Sequence, residues 1–332
     1  MSILVTGAAG FIGFHTCLRL LNDGKNVIGI DIINDYYDPA LKQARLNELT
    51  KFGEQFTFLK VDFADRHALD AALNNHKFTS IIHLGAQPGV RYSIENPHAY
   101  IESNIVGHLN MLELARHRKV TSMAYASSSS VYGENEKIPF SVDDRVDHPI
   151  SLYAATKKAD ELMSETYAHL YGIALTGLRF FTVYGPWGRP EMAVWLFTDA
   201  IMNDRPIKIF NHGKMMRDFT YIDDIVSGII AVAANPPKND GSIKAGGSKA
   251  CHAIYNIGNN KPEQLSTLIE TIEQACGKTA EKIYMEMQAG DVPATYADID
   301  AIQKDHGYAP TTSLDAGIPA FVNWYKSYKN IK

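Results

Sequence analysis

The start of the chain places three glycines between a short aliphatic run and a helical pattern. Residues 3–6 form the run, TGAAGFIG follows at residues 6–13, and the helical pattern continues to residue 21. Glycine lets a backbone approach a phosphate closely, and the first turn of a helix presents unpaired N–H groups to it. The segment therefore predicts a dinucleotide-binding turn at Gly7, Gly10 and Gly13, with a tight turn that binds no ligand as the alternative.

Short aliphatic and β-branched runs recur along the first 180 residues and alternate with stretches of helical period. They show no strict polar alternation, as is typical of strands that helices cover on both faces. The pattern predicts an α/β fold with a Rossmann-type, doubly wound parallel sheet. The runs occupy residues 3–6, 27–31, 56–61, 80–84, 123–127 and 174–180.

Beyond about residue 180 the pattern loosens, and prolines mark several loops. Residues 254–258 form one more strand-like run after the most loop-like segment. We predict a dinucleotide-binding domain at residues 1–185 with a return strand near 254–258. Residues 186–332 would form mainly a smaller, interleaved C-terminal lobe that binds the substrate.

The charge balance and the cysteines exclude several classes of protein. The 332 residues include 32 basic and 37 acidic side chains, a net charge of −5 that argues against nucleic acid as a partner. Cys17, Cys251 and Cys276 have neither metal-ligand nor disulfide spacing, so no metal is expected and a reducing, cytoplasmic location is favoured. We find no run of eighteen apolar residues and no charged leader, so we expect neither a membrane span nor a signal peptide.

An acidic residue ends the second predicted strand. Asp31 lies eighteen residues after Gly13, where a carboxylate can accept hydrogen bonds from ribose hydroxyls and would repel a 2′-phosphate. Residues 32–35 supply no basic side chain, which favours NAD over NADP. A solvated acid at a strand end is the alternative. Asp62 has the spacing to meet the adenine, and residues 84–87 include the small residues needed to pass beside the cofactor.

A YxxxK pair lies in a predicted helix over residues 152–170. Tyr153 and Lys157 share one helix face, and a neighbouring ammonium favours the phenolate that a general base needs. The serine-rich run at 127–133 ends the fifth predicted strand, where Ser128 would share the substrate hydroxyl with Tyr153. A chance YxxxK on a solvated helix face is the alternative.

These motifs, together with LRFFTVYGP at 178–186, resemble the extended short-chain dehydrogenase/reductases that act on nucleotide sugars. The resemblance spans nearly the whole chain, and within that superfamily the chain is most similar to the UDP-glucuronate 4-epimerases. The resemblance implies reversible conversion of UDP-glucuronate to UDP-galacturonate through a transient 4-keto intermediate, with tightly bound NAD and no net redox change. The segments that carry the closer similarity are 34–38, 86–93, 185–190, 211–224 and 290–298.

The resemblance also assigns roles to single residues. Phe180 would line the nicotinamide, Thr182 would lie beside the sugar, Phe210 would stack on the uracil, Arg217 would bind the diphosphate and Asp291 the uridine ribose. Gln288 stands where many hexose epimerases carry an arginine for the phosphates. The residues predicted to bind NAD are Gly7, Gly10, Phe11, Ile12, Gly13, Asp31, Asn34, Asp62, Phe63, Leu84, Ala86, Gln87, Asn104, Ser127, Tyr153, Lys157, Phe180 and Val183. Those predicted to bind the substrate are Ser128, Ser129, Ser130, Tyr153, Thr182, Arg189, Phe210, Arg217 and Asp291.

Arg189 lies between Gly188 and Pro190, and its planar guanidinium suits the C6 carboxylate of a uronic acid. A 4-ketouronate is a β-keto acid that can lose carbon dioxide, so a residue that fixes the carboxylate would protect the intermediate. A surface arginine without a ligand is the alternative.

Three other functions are compatible with the same motifs. A UDP-glucuronate decarboxylase would carry a glutamate before Val-Tyr-Gly, where this chain has Ser129 and Ser130. Arg189 argues against an epimerase of neutral UDP-hexoses, and intact Ser128, Tyr153 and Lys157 argue against a non-catalytic NAD-binding scaffold.

The resemblance finally implies a homodimer. Two helices of each subunit, one that contains residues 101–112 and one that contains Tyr153, would pair with their copies in the other subunit. We predict that the apolar residues Ile101, Ile105, Leu109 and Leu112 of the first of these helices lie mostly in the core.

Overall fold

The computed structural model describes residues 2–288 and 291–331. The strands are β1 (Ser2–Thr6), β2 (Asn26–Asp31), β3 (Phe56–Lys60), β4 (Phe78–His83), β5 (Ser122–Ser128), β6 (Ala174–Phe180), β7 (Thr182–Tyr184), β8 (Ile207–Ile209), β9 (Met216–Tyr221), β10 (His252–Ile257), β11 (Pro262–Gln264) and β12 (Lys282–Tyr284). The helices are α1 (Phe11–Asn22), α2 (Pro39–Thr50), α3 (Arg66–Leu73), α4 (Tyr92–Glu95), α5 (Pro97–Tyr100), α6 (Gly107–Arg118), α7 (Leu152–Tyr171), α8 (Ala193–Met202), α9 (Ile222–Ala234), α10 (Leu265–Cys276), α11 (Asp300–His306) and α12 (Leu314–Tyr328). In the described part of the chain, no helix combines the length and the apolar character that crossing a membrane requires.

The central feature is a seven-stranded sheet in the order β10-β6-β5-β4-β1-β2-β3, and all its strand pairs are parallel. The predicted α/β fold with a doubly wound parallel sheet is thereby confirmed. The order reverses at β1, which lies between β4 and β2. In such sheets ligands bind at the carboxyl ends of the strands beside this reversal point.

Apolar side chains cover both faces of the sheet. α1, α2 and α9 pack on one face, where Phe14 and Ile225 are buried. α3, α6 and α7 pack on the other, where Leu69 and Met111 are buried. Because helices cover both faces, the strands need no polar face, which explains why the sequence lacks regular polar alternation.

A second, smaller core lies in the C-terminal half. α8, α10 and α12 pack with β7, β8 and β9 around aromatic residues such as Trp195 and Phe321. Two small sheets, β11-β9-β7 and β12-β8, support this core. Between these segments the chain returns to the large sheet through β10, at the strand predicted near 254–258. The division of the chain at residue 185 stays a prediction.

The helix that precedes β5 differs from its expected burial. Leu112 is buried, but Ile101 is 42% exposed and Leu109 is 39% exposed. The prediction that the apolar residues between positions 101 and 112 lie mostly in the core is therefore wrong. The reason is a π-helical turn at Ile101–Val106, which inserts one extra residue per turn and rotates the face that reaches the core. Val106 and, on α7, Leu162 are also exposed.

Candidate active site

The turn between β1 and α1 has no room for side chains at Gly7 and Gly13. A Cβ on Gly7, whose φ is 69°, would lie 2.9 Å from the Cα of Gly85, and a Cβ on Gly13 would lie 2.0 Å from the carbonyl oxygen of Gly7. The amide of Gly10 donates to that same carbonyl at 2.8 Å and fixes the turn. Phe11 and Ile12 pack their side chains into the protein and leave the first N–H groups of α1 at the turn. This cradle fits a pyrophosphate.

Asp31 lies directly against the glycine turn. Its Oδ2 accepts a hydrogen bond from the amide of Ala9 at 3.2 Å, and its Oδ1 accepts one from the amide of Ile33 at 2.8 Å. These bonds hold a half-buried carboxylate at the end of β2 beside the cradle, the place that an adenosine ribose requires. Asn34, farther along the loop, accepts from the ammonium of Lys42 through both its backbone and its side-chain oxygen.

The loop after β3 contributes one exposed and one buried residue of the predicted cofactor set. Asp62 is exposed and accepts a hydrogen bond from the amide of Ala64 at 2.8 Å. Phe63 is buried, and its ring meets that of His83 edge-on at 5.2 Å. Phe63 therefore shapes the wall beneath Gly85, and its side chain serves packing.

A buried amide joins the loop after β4 to α7. Asn104 accepts from the amide of Gln87 at 2.8 Å and donates to the hydroxyl of Thr156 at 3.0 Å. Leu84 and Ala86, on the same loop, are half-buried at the carboxyl edge of β4. Asn104 thereby positions this loop against the helix that carries the predicted base.

Tyr153 and Lys157 lie one turn apart on α7, which starts at the N-cap Ser151. The ammonium of Lys157 donates to the carbonyl of Ala126 in β5 at 2.9 Å and lies 3.1 Å from Oδ2 of Asp160. Because Lys157 is hydrogen-bonded to β5, Tyr153 lies one helical turn closer to the carboxyl edge of the sheet. The ring of Tyr153 packs edge-on against Tyr100 at 6.0 Å.

Asp160 is an unexpected member of this group. Burial raises the pKa of its carboxyl to about 7 even though the charge of Lys157 opposes the shift. Among the described residues, its Oδ1 is shielded from solvent and has no hydrogen-bond partner. Lys157 therefore has a buried acid at its side whose pKa is raised to about 7.

The serine run divides into one structural residue and three residues at the sheet edge. Ser127 donates to Oε1 of Glu161 at 2.7 Å, and Glu161 is also paired with the buried Arg179 at 2.8 Å. The Ser127 hydroxyl is thus committed to the interior, and its predicted contact with NAD would have to use the backbone. Ser128 is the last residue of β5 and lies in register with Phe180 at the end of β6. Ser129 and Ser130 follow in a short 3₁₀ turn, where the amide of Ser130 donates to the Ser128 hydroxyl at 3.1 Å.

The loop that carries Arg189 is attached to the glycine turn. Arg45 of α2 is fully buried and donates to the carbonyl of Ala9 at 2.9 Å and to that of Trp187 at 2.6 Å. His15 of α1 lies 2.8 Å from the carbonyl oxygen of Pro186. The predicted cofactor turn and the predicted substrate loop therefore form one connected unit.

Arg189 shares a cavity wall with Thr182 and Met192. Its side chain is 24% exposed, and its guanidinium donates to the sulfur of Met192 at 3.0 Å and has its Nε 3.3 Å from Oε1 of Glu191. Burial lowers the pKa of Arg189 and the charge of Glu191 raises it, with a net increase, so the guanidinium stays charged. A thioether is a weak acceptor, and the guanidinium can therefore take a stronger one.

Phe180 and Val183 complete the predicted cofactor wall from β6 and β7. Phe180 is buried at the end of β6, and Val183 is half-buried against the small cluster that contains Phe11. Both lie on the strands that lead into the Arg189 loop, and Val183 packs beside Phe11 at the start of α1, so this predicted wall lies next to the glycine turn.

The predicted uridine site contains a second arginine. The guanidinium of Arg91 lies 5.4 Å from the ring centre of Phe210 and 3.0 Å from Oδ2 of Asp291. Arg217 donates to the carbonyl of Pro293 at 3.2 Å, and burial lowers its pKa while the charge of Asp291 opposes the decrease. Arg91 thus brings a cation to the site where Gln288 replaces the expected arginine.

Sequence reasoning missed four residues of this site. Tyr36 and Arg91 lay within the motif segments 34–38 and 86–93, so the motifs contained a signal for both. Glu191 and Asp160 gave no local signal. A series of tyrosine rings connects Tyr36 to Tyr153, the predicted base. The ring centroids are 5.0 Å apart for Tyr36–Tyr92, 6.2 Å for Tyr92–Tyr100 and 6.0 Å for Tyr100–Tyr153.

The chain belongs to the NAD dependent epimerase/dehydratase family, whose model matches residues 3–258. Family membership confirms both the resemblance that the motifs carry and the predicted dependence on NAD.

Individual relatives match over nearly the whole chain. Protein CapI of Staphylococcus aureus is 51% identical over 99% of each chain. UDP-glucuronate 4-epimerase 4 of Arabidopsis thaliana is 48% identical over 99% of this chain and 76% of its own. The crystal structure of the UDP-glucuronic acid 4-epimerase from Bacillus cereus, in complex with UDP-glucuronic acid and NAD, superposes with a TM-score of 0.87 at 34% identity, over 99% of this chain and 100% of the other.

Proposed function

We propose that the protein is an isomerase that interconverts UDP-glucuronate and UDP-galacturonate at C4 with bound NAD. The observation that carries this proposal is Arg189, a charged guanidinium held by a thioether and a loosely placed carboxylate, on a loop fixed to the cofactor turn. Such a group suits a carboxylate ligand. The similarity to UDP-glucuronate 4-epimerases over the whole chain supports the same substrate.

The residues present fit NAD. The glycine cradle would receive the pyrophosphate, Asp31 the adenosine ribose, and the wall formed by Phe180 and Val183 the nicotinamide end. When bound, NAD supplies a hydride acceptor and donor for C4 of the sugar.

Tyr153 would take the proton of the 4-hydroxyl and later return it. Lys157 is a fixed positive charge one turn away, and such a charge favours the phenolate. Ser128, at the edge of β5 in register with Phe180, would hold the same substrate oxygen through its hydroxyl. Because the proton and the hydride are both returned, the sugar changes only its configuration at C4.

Arg189 would bind the C6 carboxylate, with Thr182 on the same cavity wall. The 4-keto intermediate is a β-keto acid, and carbon dioxide leaves only if the breaking bond aligns with the carbonyl π system. A bidentate contact that keeps the carboxylate out of this alignment would preserve the intermediate.

The nucleotide would lie at the cluster of Phe210, Arg91, Asp291 and Arg217. Phe210 offers a ring for the uracil, and the two arginines offer charge for the diphosphate. Asp291 would bind the uridine ribose after exchanging its ion pair with Arg91. Arg91 would supply the phosphate contact that Gln288 cannot provide.

Two other activities of the same site remain competing hypotheses. A decarboxylase would share the first step, but Ser129 and Ser130 stand where its acidic residue would lie. An epimerase of neutral UDP-hexoses would have no use for Arg189.

The test is to incubate the purified protein with UDP-glucuronate without added NAD and to resolve the products by anion exchange and mass. An isomer of equal mass supports the proposal, loss of carbon dioxide supports a decarboxylase, and conversion of UDP-glucose alone would overturn the role of Arg189. Arg189→Gln should lower turnover of UDP-glucuronate by roughly a hundredfold. The matched control is Arg145→Gln, because the Arg145 side chain is 90% exposed.

We also propose a homodimer formed through α6 and α7. Ile101, Val106, Leu109 and Leu162 leave apolar side chains exposed on or next to these two helices. Light scattering at micromolar concentration checks the proposal, which a monomer would contradict. We further propose a cytoplasmic location, consistent with three buried free cysteines, and cell fractionation tests it.

A further inference from the structure

The partner of Arg189 in the structure is a carboxylate of the protein itself. Glu191 lies two residues farther along the same loop, and its Oε1 is 3.3 Å from the guanidinium Nε. Among the described residues, both Glu191 oxygens are shielded from solvent, and neither accepts a hydrogen bond. A carboxylate in such a position is costly unless a positive charge compensates it. Arg189 provides that charge.

Two polar side chains, Tyr36 and Lys42, lie within electrostatic range of Glu191. Tyr36 lies close enough for the charges of Glu191 and Arg189 to act on its hydroxyl, and burial raises the pKa of Tyr36 to about 12, so it stays neutral. Tyr36 also belongs to the chain of rings that ends at Tyr153. Burial lowers the pKa of Lys42 on α2, and the charge of Glu191 is one of the charges that oppose this decrease. Glu191 thus lies within electrostatic range of Tyr36 and Lys42 and next to Arg189, which lines the cavity proposed for the sugar.

We propose that Glu191 competes with the carboxylate of the substrate for Arg189. The inference rests on the proposed function, in which the keto sugar must present its opposite face before the hydride returns. The uronate carboxylate then has to shift on Arg189 while it stays bound to it. Glu191 offers the guanidinium an alternative partner during this movement, at a distance that already forms an ion pair without forming a hydrogen bond.

The direction of the effect follows from the charges. An ionised Glu191 offsets part of the attraction between Arg189 and a bound uronate, so it weakens the ground state and eases release. A neutral substrate has no carboxylate and is indifferent to this competition. Loss of Glu191 should therefore tighten uronate binding and slow turnover, whereas a merely structural role would weaken the binding of both substrates.

The test measures the affinities of UDP-glucuronate and UDP-glucose by calorimetry for the wild type and for Glu191→Gln. We expect Glu191→Gln to bind UDP-glucuronate about fivefold more tightly and to bind UDP-glucose with unchanged affinity, while kcat for UDP-glucuronate falls. Unchanged or weaker binding of UDP-glucuronate by Glu191→Gln would overturn the proposal.

Two further variants separate charge from structure. Glu191→Asp keeps the charge and should bind UDP-glucuronate as the wild type does; if it bound as tightly as Glu191→Gln, competition by charge would be excluded. In an Arg189→Gln background, Glu191→Gln should cause no further tightening, and tightening that persisted there would also overturn the proposal. Failure of the proposed function would be seen separately, as a wild-type protein that forms no UDP-galacturonate.

Discussion

Lys157 and Asp160 form an ion pair with an Nζ–Oδ2 distance of 3.1 Å, and their side chains are only 4% and 1% exposed. Two turns of α7 thus carry the predicted base Tyr153, the predicted assisting cation Lys157 and a buried acid. The acid is the group whose titration can be followed, because burial raises its pKa to about 7.

The pH dependence of stability should therefore change in Asp160→Asn. The folded-state pKa of Asp160 lies above its value of about 4 in an unfolded chain, so its contribution to stability is greatest below pH 4 and is lost as the pH rises through about 7. Asparagine has nearly the same side-chain shape as aspartate but carries no group that titrates in this pH range. We expect the melting temperature of Asp160→Asn relative to the wild type to increase between pH 5 and pH 8, as measured by calorimetry. A difference that stayed constant across this range would contradict the raised pKa.

Tyr153→Phe removes the hydroxyl proposed to accept the substrate proton and changes little else. We expect kcat to fall roughly a thousandfold, the size typical of a lost general base, while the circular dichroism spectrum stays unchanged. Product formation from UDP-glucuronate measures the effect. Tyr171→Phe, at the exposed end of the same helix, is the control. Unchanged turnover in Tyr153→Phe would show that the Tyr153 hydroxyl takes no part in the reaction.

Asp31→Asn should alter the choice of cofactor. The substitution removes a charge-assisted acceptor for the ribose hydroxyls and the repulsion of a 2′-phosphate. We expect the preference for NAD over NADP to fall about tenfold in titrations of cofactor-free protein. Asp35→Asn, an exposed neighbour in the same loop, should keep the wild-type preference. If Asp31→Asn kept it too, the ribose would have to bind elsewhere.

Arg91→Gln tests whether Arg91 supplies the contact that Gln288 cannot. We expect the Kd for UDP to rise about tenfold and its dependence on salt to weaken, because one charge near the diphosphate is lost. Calorimetry with UDP at two salt concentrations gives both quantities. Arg66→Gln, an exposed arginine on α3, serves as the reference. Equal affinities for the two variants would place Arg91 outside the nucleotide site.

Gly13→Ala should disturb the cradle directly. The added Cβ would lie 2.0 Å from the carbonyl oxygen of Gly7, so the turn or the helix must shift. We expect the purified variant to contain less NAD and to melt at a lower temperature, as cofactor assay and thermal unfolding would report. Arg19→Ala, on the exposed face of the same helix, should leave both quantities unchanged. A full NAD content in Gly13→Ala would argue that the pyrophosphate lies away from this turn.

Features that depend on neighbouring residues were predictable from the sequence. The glycine turn, the strands of the large sheet and α7 follow from local patterns, since period, β-branching and glycine spacing act within a few residues. Each of the six predicted runs begins and ends within two residues of the matching strand, from β1 to β6.

Features that depend on distant contacts were not predictable. The pair of Arg91 and Asp291 joins residues 200 positions apart, and its existence depends on how two distant loops pack together. The π-helical turn at Ile101–Val106 changes which side of a helix is buried, and composition gives no sign of it. The raised pKa of Asp160 arises from burial against β5, which only the tertiary packing determines.

The position of β10 has a consequence for synthesis of the chain. β6 is complete at residue 180, but its outer edge is paired only when residues 252–257 have left the ribosome. For some seventy residues of translation, the nascent sheet therefore exposes unpaired backbone groups on an apolar strand, which can pair with other chains. A truncated protein that ends near residue 185 would keep that edge permanently, so we expect it to aggregate during expression even though it contains the whole glycine turn and α7.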